Sequence, residues 1–479
     1  MTHLLIVTHE HIGPKMAGPG IRAWEIARAV ARHGFSVVLA TPYPGFSDSE
    51  GLQVVGFSWD DPFSLEQWFQ KANVVMAIGP LLSRIVHWLG KPIEQPVIAD
   101  LYDISQIEQI LLFAYSGSYF SMLVDILIED ALVYLSQGDF FVCATERQRD
   151  FWLGTLWMAG RLNASTLSMD PERWIATVPM GLPDVPPTWT GPVLKGVIPG
   201  IGPQDKVVLW MGGLWEWTDP LTLAAAIEQV LTQRQDVRWV FGSLHHYDEQ
   251  VVPKMSKAAR FLERCQNAGW LGRYVFFLDW IPYAQRGAYL LEADLGIGLY
   301  DHLFESRYAI RARTLDYLWA SLPCVLSVGD EMANLLGAHG LAALVPPRDS
   351  QSVADAILRW LDSIPSRAEL KKQVLPLQNT LRWSVVVEPI VTFLKHPCLA
   401  PDAERARRRI PSLIGLRREN DELRRENDEL RRENDELRRE NDELRRENDE
   451  LCQFLENLKK GRVVRLLNRV YHFFGRTFL

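Results

Sequence analysis

Four charged side chains stand close together just past residue 304: Glu305, then Arg307, Arg311 and Arg313. An apolar run at 293–299 precedes them and reads as a strand. A helical run follows, in which Ile310, Leu315, Leu318 and Trp319 can share a buried face, and it stops before Pro323. Residues 324–328 read as the next strand. Strand, charged loop and helix in that order make half of a βαβ unit. Its basic helix start lies at the sheet edge where such folds bind anions. The plainer alternative is a solvated first turn of a surface helix. Three arginines beside one acid at a strand's carboxyl end favour a phosphate site.

A second candidate lies near the amino terminus. Gly13, Gly18 and Gly20 sit between a strand at 4–8 and a helix beginning near Ile21. Glycine there lets backbone approach a diphosphate beside a helix amino end, although the spacing is not that of the dinucleotide fingerprint. Lys15 and Arg22 are within reach of that loop; Arg22 also suits a solvated helix position. Asp103 ends the segment Asp100-Leu101-Tyr102-Asp103 at the close of a strand, where it suits a cap on the next helix or a place in a site. His9, His11, His245 and His246 lack metal-ligand companions and read as surface or cleft residues. The five cysteines (143, 265, 324, 398 and 452) have neither metal nor redox spacing, which suits single thiols in a reducing compartment.

The elements that must position these groups alternate regularly. Apolar strands are expected at 4–8, 35–40, 52–57, 74–78, 97–101 and 140–144, then again at 205–210, 238–242, 274–278, 294–299 and 324–328, with helices between most of them. That pattern indicates an α/β fold of two doubly wound, Rossmann-like domains. A Pro/Gly-rich bridge at 183–203 separates them. The chain has 479 residues, is 47% hydrophobic and 23% charged, and carries a formal charge of −8, enough for two sizeable cores. The main body is not basic enough to suggest nucleic acid. The first residues have neither the positive region nor the cleavage site of a signal peptide and read as a first strand. Residues 111–135 are the most apolar stretch, yet Asp125, Glu129 and Asp130 interrupt it, so it reads as a buried helix rather than a membrane span.

The segment from Phe304 to Val325 resembles the donor site of family-four glycosyltransferases, retaining enzymes of the two-domain GT-B fold. Aligning that family's Gly-x-Pro-Val-Val turn on Ser321-Leu322-Pro323-Cys324-Val325 puts Asp316 on the second Glu of its Glu-x7-Glu motif. The resemblance assigns that residue to the ribose hydroxyls. The first Glu falls on Tyr308, leaving Glu305 as the nearest acid. Gly212-Gly213-Leu214-Trp215-Glu216-Trp217-Thr218-Asp219-Pro220 resembles the family's diphosphate segment, with Gly213 and Asp219 where an Arg and a Lys usually stand. The resemblance therefore implies that Arg307, Arg311 and Arg313 compensate. Trp215 and Trp217 also suit packing. Leu278–Tyr283 is similar to the loop that holds the base through backbone contacts, implicating Trp280 and Ile281. Gly18 and Gly20 would face the donor phosphates. Residues 382–394 resemble the helix that crosses back to the first domain.

The resemblance covers residues 1–396. It divides the chain into an acceptor-side domain (1–185) and a nucleotide-sugar-binding domain (186–396), facing a cleft. It implies a metal-independent transferase that uses a nucleotide-diphosphate sugar as donor, without a further cofactor. Asp103, Glu305 and Arg311 are the catalytic candidates. The competing expectation is an inactive GT-B scaffold, favoured by the altered Glu motif and the missing Arg/Lys pair.

The remainder is different in kind. A basic linker is expected at 397–415. From Arg417 to Leu451 the heptad RRENDEL repeats five times unchanged. Leucines fall at d from Leu416 to Leu458, Asn420 and its repeats at a, Glu at g and Arg at e. Glu419 can pair with Arg424 of a parallel partner, so 416–458 reads as a homodimeric coiled coil, or else as a lone charged helix. Residues 459–479 carry six Lys/Arg and no acid. On a helical wheel Arg462, Arg465, Arg469, His472 and Arg476 share one face. Val463, Leu466, Leu467, Val470, Phe473, Phe474 and Phe478 fill the other. Such a helix suits an anionic membrane surface, or a groove on a partner protein. A glycan or lipid-linked acceptor at the inner face of the cell membrane, in cell-surface polysaccharide synthesis, agrees with a cytoplasmic, peripherally bound enzyme.

Overall fold

The computed structural model describes residues 2–473 and 475, apart from 50, 62, 114–117, 244–254 and 302. His245, His246, Phe474, Arg476 and Phe478, named above, lie outside the described residues. The chain forms two units, one ending at Pro411 and one beginning at Ser412.

The first unit holds two large parallel sheets and a two-stranded parallel ribbon of His11–Ile12 with Tyr43–Pro44. Across the first, the strands run Leu52–Gly56, Ser36–Thr41, His3–Val7, Val74–Ile78, Val97–Asp100, Phe140–Cys143 and Ile175–Thr177. Across the second they run Val275–Phe277, Val237–Phe241, Lys206–Trp210, Leu295–Gly298, Cys324–Ser327 and Ala342–Val345. Counted along the chain, both begin 3-2-1-4-5-6, the doubly wound order that reverses direction beside its first strand. The strands are apolar throughout because helices cover both faces; Leu4, Leu5, Ile6 and Val7 are 1–2% exposed. All the expected strands form. Ile175–Thr177 and Ala342–Val345 were not foreseen: three or four residues at a sheet margin are too short to show a period.

Between strands, the helix Gly18–Arg32 starts at a proline and ends before Gly34, whose φ of +86° a side chain would strain. Its Trp24, Ile26, Ala27 and Val30 are buried. The apolar stretch 111–135 divides between helices Ser105–Phe113 and Ser118–Gln137, and Ile128 is exposed. Its described part is not buried throughout as expected, since Asp125 and Ile128 face solvent. No helix among the described residues is long and apolar enough to cross a membrane. Helices Trp383–Val386 and Glu388–Lys395 return to the first sheet, where Phe393 stacks on Phe140 at 4.9 Å.

The stretch after 396 departs from the expected linker. Ala403–Arg407 is a short helix, and Asp402, Ala403, Ala406 and Ile410 are buried. Arg161, 1% exposed, grips Asp402 at 3.0 and 3.1 Å, and Arg407 meets Asp139. Of the arginines in this stretch, Arg407 neutralises a buried aspartate, while Arg405, Arg408 and Arg409 face water.

The second unit consists of most of the helix Ile410–Lys460, followed by the helix Arg462–Phe473. Charged pairs lie along the first, as at Arg417–Asp421 (3.9 Å) and Arg424–Asp421 (3.5 Å). Its d-position leucines, Leu416 to Leu458, are all 46–63% exposed. In the second helix Val463, Leu466 and Phe473 are 65–86% exposed.

Candidate functional site

A cleft of about 690 Å³ opens between the carboxyl ends of the two sheets. Strand ends supply its walls. His9 and His11 follow the first strand, and Tyr102 and Asp103 follow Val97–Asp100. In the second domain Met211, Gly212 and Gly213 follow Lys206–Trp210, while Tyr300 follows Leu295–Gly298. This is where a doubly wound sheet leaves room for a ligand, because connections to either side diverge at the reversal.

The basic wall is built around the helix Ala312–Trp319. Arg311, its amino-terminal cap residue, is 6% exposed and forms an ion pair with the 3% exposed Glu305. Its guanidinium lies 4.0 Å over the ring of Tyr300. Arg313 donates to the Gly213 carbonyl at 2.9 Å. Arg311 Nε, Arg313 Nη1, Tyr300 Oη and Glu305 Oε1 are buried, yet have no hydrogen-bond partner among the described residues. A buried donor without an acceptor costs about 1–3 kcal/mol, so three of them around one cleft amount to a site shaped for an anion. The helix start adds its own positive end.

Acids complete the wall. Desolvation, and then the charge of Glu305, lift the Asp103 carboxyl to about 7. Burial, then Asp103, push Glu108 well above its usual range. Burial raises Asp330 to about 6, and raises the Tyr300 phenol as well. Arg311 is thus the counter-charge of several crowded carboxyls, not of one.

Asp103, Gly18, Gly213, Trp280, Ile281, Arg311, Arg313 and Asp316 all line the cleft. Glu305 sits behind Arg311, holding it. Two expected donor contacts are placed elsewhere. Arg307 is exposed on the short helix Leu303–Tyr308, outside the lining, because six residues of helix turn it away from Arg311. Gly20 is buried where a Cβ would meet the His11 carbonyl at 3.0 Å, so its small size serves packing, whereas Gly18 has open space around it. Asp316 does face the cleft, but already accepts from Arg286 Nε at 3.1 Å. Burial raises its carboxyl while Arg286 opposes the shift.

Arg22 is neither a phosphate ligand nor solvated. It is 1% exposed, bonds Asp100 at 2.6 and 2.9 Å, and donates to Val178 O at 2.9 Å. Lys15 is exposed and outside the lining. Asp219 caps the helix Pro220–Leu231 by accepting from Thr222 N at 3.0 Å. Trp215 and Trp217 stack face to face at 5.1 Å, where Thr218 folds back on the Trp215 carbonyl in a turn. No group of three metal-binding side chains is found among the described residues. Reading the sequence alone missed Tyr300, Arg286, Trp59 and Arg84, all in the lining. Tyr300 was recoverable, as it directly follows a strand; Arg286 stands just past the Leu278–Tyr283 segment, while Trp59 and Arg84 stand far along the chain from any motif.

No family model and no curated protein sequence matches the chain. Solved structures do. The sucrose-phosphate synthase of Thermosynechococcus elongatus superposes with a TM-score of 0.58 at 13% identity, over 82% of this chain and 98% of that one. WaaG, a glycosyltransferase involved in lipopolysaccharide biosynthesis, gives 0.56 at 14%, over 82% and 100%. The HepE protein of Anabaena, in complex with UDP-glucose, gives 0.57 at 12%, over 82% and 100%. At such identities the likeness speaks for architecture: two Rossmann-like domains facing a cleft, in the GT-B glycosyltransferase fold.

Proposed function

We propose that this chain is a retaining, metal-independent glycosyltransferase that moves a sugar from a nucleotide-diphosphate donor to a glycan or lipid-linked acceptor. The observation that carries the reading is the set of unpartnered donors on Arg311, Arg313 and Tyr300, set against the glycine turn at Gly212 and Gly213. The leaving diphosphate gains charge as the glycosidic bond breaks. Donors fixed in a low-dielectric wall stabilise that charge without reorganising. Asp316, steadied by Arg286, faces the ribose, and the turn at Trp280 and Ile281 takes the base. Asp103 orients the acceptor hydroxyl. Neighbours of the same fold include HepE in complex with UDP-glucose and trehalose-6-phosphate synthase bound with UDP-2-fluoro glucose, which supports a uridine donor.

Isothermal titration with UDP, GDP and ADP tests the reading. Saturable binding of one nucleotide, weakened in Arg313→Ala, is expected. If none binds at millimolar concentration, the body is a scaffold and not an enzyme.

The tail completes the proposal. Residues 416–458 form a parallel homodimeric coil, and the basic helix beyond it rests on the anionic inner face of the cell membrane, where acceptors for surface polysaccharide are held. A leucine row 46–63% exposed in one copy supports a second copy covering it. In sedimentation velocity the chain should run as a dimer, and Leu430→Asp with Leu437→Asp should run as a monomer.

A further inference from the structure

Four arginines line the cleft: Arg84, Arg286, Arg311 and Arg313. Three of them spend N–H groups on protein acceptors. Arg286 bonds Asp316, Arg311 bonds Glu305, and Arg313 bonds the Gly213 carbonyl. Arg84 is the exception. Among the described residues no carboxylate lies within ion-pair distance of it, and it makes no hydrogen bond. Its guanidinium instead lies over the indole of Trp59, with Cζ 3.9 Å from the ring centroid.

That stack is built from behind. Arg84 and Trp88 are four residues apart on the helix Gly79–Leu89, so they lie one above the other on one face. Arg84 covers the Trp59 ring, while the Trp88 ring meets it edge-on at 5.8 Å. Trp88 Nε1 also donates to the Trp59 carbonyl at 3.1 Å, and Phe57 closes a third side at 5.0 Å. A guanidinium held through its π face keeps its N–H groups, which lie in its plane, open for a ligand. Arg84 is exposed and the fork carries no counter-charge among the described residues, so an anion that reaches it displaces water and not a carboxylate. A second flat ring pair, His11 stacked on Tyr43 at 4.2 Å and 4°, lines the same wall. Aromatic faces are partly negative and attract the C–H faces of sugar rings.

We infer that Trp59 and Arg84 form an acceptor subsite for a sugar bearing an anionic group, a phosphate or a carboxylate, with Arg84 forking onto the anion. This deepens the glycosyltransferase reading and rests on it for the word acceptor. The subsite lies on the wall of the first domain, whereas the donor groups belong to the second, so the two can be broken separately.

The test titrates the full-length chain with a hexose 6-phosphate, a hexuronate, a short-chain prenyl-diphosphate hexose and neutral glucose, with UDP in parallel. At least one anionic probe should bind ten-fold or more tightly than glucose. Arg84→Gln should abolish that preference and leave UDP affinity as in the wild type, while Trp59→Ala weakens both the anionic probe and glucose. The phosphate, carboxylate and diphosphate arms identify which anion is read. Equal binding of glucose and every anionic probe overturns the proposal, as does an anionic preference that survives Arg84→Gln. If UDP fails to bind while the Arg84-dependent preference persists, the subsite stands and the transferase reading falls.

Discussion

Arg22 and Arg313 both stand near the start of a helix that leaves the carboxyl end of a sheet strand, one in each half of the molecule. Arg22 follows the first strand of its sheet and Arg313 the fourth of its own. Their surroundings separate them. Arg22 is 1% exposed, with Asp100 on two of its nitrogens, Val178 O on the third and the Tyr102 ring 4.6 Å beneath. It is complete. Arg313 is partly buried, lines the cleft, bonds one carbonyl and has a buried Nη1 without a hydrogen-bond partner among the described residues. Basic charge near a helix amino end is therefore not by itself a phosphate site. What distinguishes a ligand-binding arginine is hydrogen-bonding capacity that the protein leaves unused.

That contrast can be broken at several strengths. The largest effect belongs to Arg22→Ala, which strands the buried Asp100 carboxylate. Denaturant unfolding should register a loss of about 3–5 kcal/mol. Arg313→Ala should barely move the unfolding midpoint, yet lower nucleotide affinity by an amount equivalent to about 1.5–3 kcal/mol, that of a hydrogen bond to a charged group. If both variants lose stability alike, the distinction between the two arginines fails.

A smaller, severalfold effect comes from the acids. Asp103 titrates at about 7, raised by desolvation and by Glu305. Protonating it removes negative charge near the diphosphate, so UDP-glucose should bind more weakly as pH rises from 6 to 8, and Asp103→Asn should flatten that profile. The linked stability has the same sign. A carboxyl whose folded value is raised favours the fold fully below its unfolded value of 3.8 and loses that contribution as pH rises towards 7. The smallest effect is expected at the exposed Arg408–Glu404 pair, where Glu404→Ala should cost about 0.5 kcal/mol or less by the same unfolding measurement.

Much of the scaffold was legible in the sequence because its signals are local. Strand runs, the heptads and the arginine cluster can each be read within a window of a dozen or so residues. The site was legible where motifs sit at strand ends: Arg311, Arg313, Asp316 and Asp103 do meet in one cleft. The misreadings share one cause. Arg307 was grouped with its neighbours by spacing, but a turn of helix carries it outward. Gly20 was grouped with Gly18, but the backbone behind it fills the space. The stretch 397–415 was read as a basic linker, yet its Arg407 neutralises a buried aspartate.

Sequence alone determined that two parallel sheets would form, that their loops would gather at one edge each, and that a leucine-and-asparagine heptad helix would follow. Those outcomes depend on periodicity and propensity, which neighbouring residues settle among themselves. Tertiary structure decided which charges are satisfied. Arg22 finds Asp100 at a separation of 78 residues and Val178 at 156, while Arg84 finds only an aromatic face. Hydrogen-bond partners so distant in the chain are assigned only when the sheets close around them, and the donors left over from that assignment mark where a ligand can bind.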